Sequence, residues 1–181
     1  MKITDVITQR VRIPLVYPVK WSGGTRHSAP AMIVQIKTDE GIIGLGECVG
    51  PTIPTVETIL EHELKQFLIG QDPLRTEWLV RRMEEFARHW TQIGAFAISG
   101  IEIALLDIKG KYLNTPVWNL LGGLCKREVP YAGYLFIDTP EGNAQKAKKY
   151  VDQGYRELKL KVGRNLAQDI ESLEAIRDAV G

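Results

Sequence analysis

Glu157-Leu158-Lys159-Leu160-Lys161-Val162-Gly163 alternates apolar and cationic side chains. The alternation reads as a strand with Leu158, Leu160 and Val162 on one face and Lys159 and Lys161 on the other. Lysines at i and i+2 point the same way, roughly 6–7 Å apart by the strand rise. A buried face seldom holds two ammonium groups unless chemistry needs them. The plain alternative is a pair of surface lysines on a solvated strand.

Working outward, the surroundings of the run repeat one grammar. Val129 to Phe136 reads as a strand, and Thr139-Pro140-Glu141 opens a helix that runs to about Gln153 and closes on Gly154. Tyr155 to Val162 is the lysine strand. Asn165 to Ala179 is a further helix, with Leu166, Ile170, Leu173, Ile176 and Val180 as its inner face. Strand, helix, strand, helix with short turns is the pattern of βαβ units and a parallel sheet. Parallel sheets bury both faces, so two strands read as the opening of a larger sheet.

The part before Cys125 is built differently. Val11, Ile13 and Leu15 alternate with Arg10, Arg12 and Pro14, as in a half-buried strand, and Met32, Val34 and Ile36 repeat the pattern. Thr38-Asp39-Glu40-Gly41 supplies turn chemistry, and Ile42 to Glu47 returns as the partner strand of a hairpin. Tyr17 to Pro30 reads as a long loop punctuated by Gly and Pro. It carries Tyr17, Lys20, Trp21, Arg26 and His27, an inventory typical of binding loops. Thr55 to Leu68 is helical by pattern. Asp72-Pro73 caps a helix running to about Arg88. Ala95 to Lys111 is apolar nearly all round, with Ile98, Ile103 and Leu106 opposite Ala97, Ile101 and Leu105, which predicts a buried helix. Gly122-Gly123 stops a short helix after Pro116.

Composition sets limits on function. The chain has 181 residues, 44% hydrophobic and 25% charged, with a formal net charge of +1. That balance supports a core and argues against nucleic-acid or anionic-membrane partners, which call for a basic bias. Cys48 and Cys125 stand far apart in no metal-ligand spacing, so a reducing compartment, the cytoplasm, is expected. The residues Met1 to Val6 show no signal-peptide core, and no apolar run reaches the ~18 residues of a bilayer span. Gly44-Leu45-Gly46 lacks the following helix of a dinucleotide fingerprint. Gly110-Lys111 lacks the Ser/Thr of a phosphate loop. His62 and His89 fall in charged helical stretches and read as solvated. Glu47 and Cys48 read as structural, and Lys146 to Lys149 as the wet face of a helix.

The ordered set of pieces resembles the enolase superfamily, in its mandelate racemase and muconate-lactonizing branch. Those pieces are Thr38-Asp39-Glu40-Gly41 leading to Gly44-Leu45-Gly46-Glu47, Ala104 to Lys111, Pro116 to Gly123, and Lys159-Leu160-Lys161. The resemblance covers essentially the whole chain. It implies an α+β capping domain over 1–125, a three-stranded antiparallel meander plus helices. The first two β/α units of an incomplete TIM-like barrel would follow over 126–181. It implies Lys161 as acid/base catalyst and Lys159 beside the substrate carboxylate. It further implies substrate contacts from two cap loops, with Tyr17, Lys20, Trp21, Arg26, His27 and Thr52 as candidates. Partners would be a small carboxylate substrate and further copies of the chain in a homo-oligomer.

Removing a proton α to a carboxylate builds a dianionic enediolate, which needs a strong local positive field. Lysine bases working with Mg²⁺ are established chemistry of that superfamily. A lysine base must be neutral when it acts, although free lysine titrates near ~10.4. A second ammonium, a divalent cation and partial burial all favour the neutral form. A barrel has eight strands and typically ~250 residues, so the chain reads as truncated, with no metal ligands of its own and the Mg²⁺ carboxylates in a missing C-terminal part. The reaction would be racemisation or epimerisation, or cycloisomerisation. An acid-sugar dehydratase relative and a non-catalytic cap fragment or interaction module are the alternatives. The isolated chain is expected to be inactive and to self-associate through exposed apolar faces.

Overall fold

Met32, Val34 and Ile36 are fully buried at alternate positions, and this row seats the sheet of the first half on its helices. The computed structural model describes residues 1–50, 52–87 and 91–181. Pro51 of the second cap loop, Arg88 at the expected helix end and His89 lie outside the described residues. Contacts divide the chain into two units, Met1–Ile13 with Pro30–Cys125, and Pro14–Ala29 with Lys126–Gly181.

β1 (Ile3–Trp21), β2 (Gly24–Thr38) and β3 (Ile43–Cys48) form a sheet in the order β1-β2-β3, with the Pro14–Ala29 end of the β1-β2 hairpin counted in the second unit. β2 and β3 are antiparallel, with Met32 opposite Cys48 and Lys37 opposite Ile43. The connection at Gly41 has φ +79°, the conformation that suits glycine. α1 (Ile53–Ile59), a π-turn (Leu60–Leu64) and α2 (Lys65–Leu68) follow, then α3 (Thr76–Ala87), α4 (Thr91–Tyr112) and α5 (Val117–Leu120).

β3 and α4 fit without side chains between them. A Cβ on Gly44 would lie 2.1 Å from the Ala104 carbonyl oxygen, one on Gly46 1.9 Å from that of Gly100, and one on Gly100 2.2 Å from Cys48 Sγ. The three glycines are therefore required by the close approach of strand and helix. The same helix closes the open edge of β3. Asp107 Oδ2 accepts from Leu45 N at 2.8 Å, and Lys111 Nζ donates to Ile43 O at 2.7 Å. Lys111 also pairs with Asp107 at 2.7 Å. Two backbone groups that could recruit a foreign strand are thereby satisfied.

The second unit contains β4 (Gly133–Leu135), α6 (Pro140–Asp152), β5 (Leu158–Leu160) and α7 (Leu166–Val180). β4 and β5 pair in parallel, Gly133 with Leu158, Tyr134 with Lys159 and Leu135 with Leu160. Thr139 caps α6 by accepting from Gly142 N, and Asn165 caps α7 by accepting from Ala167 N and Gln168 N. The fold is thus an α+β capping domain followed by the start of a β/α series.

Several expectations need correction. Tyr17 to Pro30 is not a loop but the extended end of a hairpin, with β1 reaching Trp21 and β2 starting at Gly24. β1 is an edge strand, and β3 pairs with β2 only from Met32 onward, so Pro14, Pro18 and Pro30 remove no ladder bond from a central strand. Ile13 on this hairpin is exposed rather than inward. The Asp72-Pro73 signal makes a turn, with Leu74 N donating to Asp72 Oδ1 at 3.0 Å, and the helix begins only at Thr76. α4 is not covered all round, since Ile103 is exposed. Val162 faces out, and on α7 Leu166, Ile170 and Leu173 are exposed while Ser172 and Ile176 are buried. α7 packs on α6, and Ile176 and Val180 of the expected inner face do join the core of this unit. Lys146 is half-buried in an ion pair with Asp138 rather than on a wet face. No helix among the described residues is long and apolar enough to cross a membrane.

Candidate active site

Because β4 and β5 are in parallel register, Tyr134 stands directly beside Lys159 on the face opposite the buried Leu135. Lys161 continues that face, its backbone N donating to Leu135 O at 2.8 Å. The two ammonium groups converge on one ring. Lys159 Nζ lies 5.2 Å and Lys161 Nζ 5.7 Å from the Tyr134 centroid. The Lys159 ammonium beside its hydroxyl, with Lys161 next to it, holds the Tyr134 phenol below its ordinary pKa. Lys159 is exposed and Lys161 half-buried.

Lys161 forms part of the wall of a cavity of about 580 Å³ that lies within the second unit. Tyr17, Trp21 and Arg26 of the hairpin also line it, as do Tyr134, Phe136 and Tyr150. These walls are braced. Tyr134 and Phe136 pack at 5.4 Å, and Tyr150 meets Tyr155 edge-on at 5.1 Å. Tyr150 Oη donates to Tyr134 O at 3.3 Å. Its hydrogen bond with the Tyr17 phenol, together with burial, pushes its pKa up to about 12. Lys146 Nζ sits 5.6 Å above the Tyr17 ring, and the Arg26 guanidinium stacks 5.2 Å from Trp21.

Beyond β4, Asp138 Oδ2 accepts from Lys146 Nζ at 2.7 Å and Oδ1 from Thr139 N at 2.9 Å. The Lys146 bond holds the Asp138 carboxyl below the usual carboxylate range. Lys20 contributes its carbonyl, which accepts from Ile137 N at 3.0 Å. The hairpin is thus tied by its backbone to the segment that follows β4.

Tyr17, Trp21, Arg26 and Lys161 are therefore brought to one cavity. Lys20 and His27 are exposed on the hairpin and do not line it, and Lys159 reaches the site only through Tyr134. Thr52 belongs to the first unit, as the residue preceding α1, its hydroxyl 3.0 Å from that of Thr55. The sequence reading missed Tyr134, Phe136 and Tyr150. The signal for the first two was available, because alternation along Gly133 to Phe136 puts them on one face. Among the described residues no group of three or more His, Cys, Asp or Glu side chains could hold a metal ion.

Comparison with known proteins follows the same outline. The N-terminal domain of the mandelate racemase / muconate lactonizing enzyme family matches residues 3–122. The N-succinyl-L-Arg/Lys racemase of Bacillus cereus is 39% identical over 188 residues, covering 100% of this chain and 50% of that protein. The crystal structure of that racemase superposes with a TM-score of 0.91 at 36% identity, again over 100% and 50% of the two chains. A dipeptide epimerase from Enterococcus faecalis, complexed with Mg and the dipeptide L-Leu-L-Tyr, gives a TM-score of 0.86 at 35% identity, over 100% of this chain and 51% of that one. The D-galactonate dehydratase of Verminephrobacter eiseniae is 36% identical, over 99% of this chain and 43% of that protein. The chain spans about half the length of the curated relatives it matches.

Proposed function

Since the chain belongs to the mandelate racemase / muconate lactonizing enzyme family of the enolase superfamily, we propose that it forms the N-terminal part of an isomerase that withdraws the proton α to a carboxylate. Residues 1–125 serve as its capping domain and 126–181 as the opening of its barrel. The observation that carries the reading is the placement of Lys161, half-buried in the wall of a cavity, with a second ammonium sharing the same phenol.

In this mechanism Lys161 takes the α-proton at Nζ. It lies at the C-terminal end of its strand, where barrels of this type keep their chemistry. Lys159 adds positive potential to the carboxylate side as negative charge builds there. Tyr134 holds the two ammonium groups apart and in register, so neither side chain searches rotamers when substrate arrives. Apolar walls exclude water and strengthen each of these interactions. The described residues do not fit a Mg²⁺ site, so any such ion is gripped by groups outside them, and this chain contributes the base and the pocket. Racemisation or epimerisation would need a second acid, outside the described residues, to return a proton to the opposite face of the same carbon, whereas Lys161 alone returns it to the face it was taken from. The racemase match at 39% identity favours that outcome over cycloisomerisation, whose relative is 33% identical.

The test is exchange of the α-proton for deuterium, followed by NMR in D₂O with the full-length protein and a panel of N-acylated amino acids. Lys161→Ala is expected to lower exchange by at least about 10³-fold, in line with loss of a general base. Lys159→Ala is expected to lower it less and to raise KM. Unchanged exchange in Lys161→Ala would end the proposal.

A further inference from the structure

The cavity that holds Lys161 is unusual for what it lacks. Its hairpin side is formed by Leu15, Val16, Val19 and Ala29 together with the faces of Tyr17 and Trp21. The opposite side adds Tyr134, Phe136 and Tyr150. Its charged groups are Arg26 and Lys161, both cationic. No Asp, Glu, Asn, Gln, Ser or Thr lines it among the described residues. Tyr150 Oη donates to Tyr134 O at 3.3 Å, and the Tyr134 ring lies 5.2 Å from Lys159 Nζ and 5.7 Å from Lys161 Nζ.

We propose that the substrate of this site is a carboxylate with an apolar, flat or branched body, and not a polyhydroxylated acid. The inference rests on the α-proton reading of the same cavity and narrows its substrate class. A carboxylate satisfies the cations, and the rest of the molecule meets aromatic faces that are already fixed in place. A sugar acid would bring several hydroxyls against a mostly aliphatic and aromatic wall with few polar groups to pair them. Most would lose their water without replacement, and a site of this kind discriminates strongly against such groups. The volume of about 580 Å³ suits a molecule larger than a simple α-hydroxy acid.

Two measurements on the full-length protein separate this claim from the one beneath it. Calorimetry with benzoate, which has no α-proton, reads the pocket alone. Deuterium exchange compares N-acetylphenylalanine and N-acetylleucine with galactonate and gluconate. The expected results are benzoate binding and an exchange kcat/KM at least 100-fold higher for the N-acylated apolar acids. Ala29→Asp puts a carboxylate into the lining at a half-buried position, with the isosteric Ala29→Asn as the control for folding. Ala29→Asp should weaken benzoate at least tenfold relative to Ala29→Asn at a matching melting temperature. Benzoate binding with no exchange on any acid would sustain the pocket and sink the α-proton reading. Exchange on galactonate or gluconate at equal or higher efficiency would sustain the α-proton reading and overturn this one. Absence of benzoate binding, or equal binding by Ala29→Asp and Ala29→Asn, would also overturn it.

Discussion

The two units divide the tasks of the molecule between them. The first is held by a continuous apolar cluster that runs from Ile3 and Met32 through Leu60, Leu79 and Leu105 to Ile108. The second buries Leu135, Ala147 and Ile176 in its own cluster, and its strands are three residues long. Yet the second unit holds the convergent cations, the braced aromatics and the cavity. Apolar burial is the main source of folding free energy, whereas catalytic groups need partial exposure and polar neighbours. Within the described residues, apolar burial is therefore concentrated in the first unit and the proposed chemistry in the second.

The strongest contrast within the first unit is between thiols. Cys48 is buried beneath α4, and burial pushes its pKa up to about 11, while Cys125 at the end of the unit is exposed. Ellman's reagent under native conditions should modify Cys125 at least on the order of 10³-fold faster than Cys48, which reacts only through opening of the core. Equal rates would show that this core is not closed. Next in size is Leu105→Ala, at a position with no exposure. It should lower stability by about 2–5 kcal/mol in urea unfolding. Leu173→Ala in the second unit, on an exposed stretch of α7, should stay within about 0.5 kcal/mol. Gly46→Ala drives a Cβ toward the Gly100 carbonyl oxygen at 1.9 Å. An overpacking loss of about 1–3 kcal/mol is expected, with the helix pushed off the strand.

The smallest effect is electrostatic and belongs to the second unit. Lys146 depresses the Asp138 pKa in the folded state. Its contribution is thus present above the unfolded carboxyl value of about 3.9 and disappears as pH falls through the lower folded value. Asp138→Asn should reduce the unfolding midpoint at pH 6–7 and leave it unchanged near pH 2. A loss that persists at pH 2 would mean that packing, not the ion pair, is what the carboxylate provides.

How much of this could be read from residue order depends on which force fixes each element. Met32, Val34 and Ile36 were legible because one-sided burial imposes strict alternation. Thr139, Asn165 and Gly154 were legible because caps and stops act within a few residues. The Lys-x-Lys face followed from strand geometry alone. The hairpin end was not legible, since Pro14, Pro18, Gly23 and Pro30 mimic a loop, and only the edge position of β1 and the start of β3 pairing at Met32 excuse the prolines. The start of α3 failed because Asp72 closes a turn of its own before the helix begins. On α7 the expected face is met at Ile176 and Val180, while Leu166, Ile170 and Leu173 are exposed and Ser172 is buried beside them. Tyr134 and Phe136 went unread because aromatic residues in a strand ordinarily signal core. Only the register that sets Tyr134 against Lys159 reveals them as part of a site.

The separation of stability from chemistry is tested most directly by measuring α-proton exchange and the unfolding midpoint on one preparation of full-length Lys161→Met. The account predicts exchange at background with a midpoint that matches the parent protein. Retained exchange, or a midpoint lowered as far as that of Leu105→Ala, would contradict it.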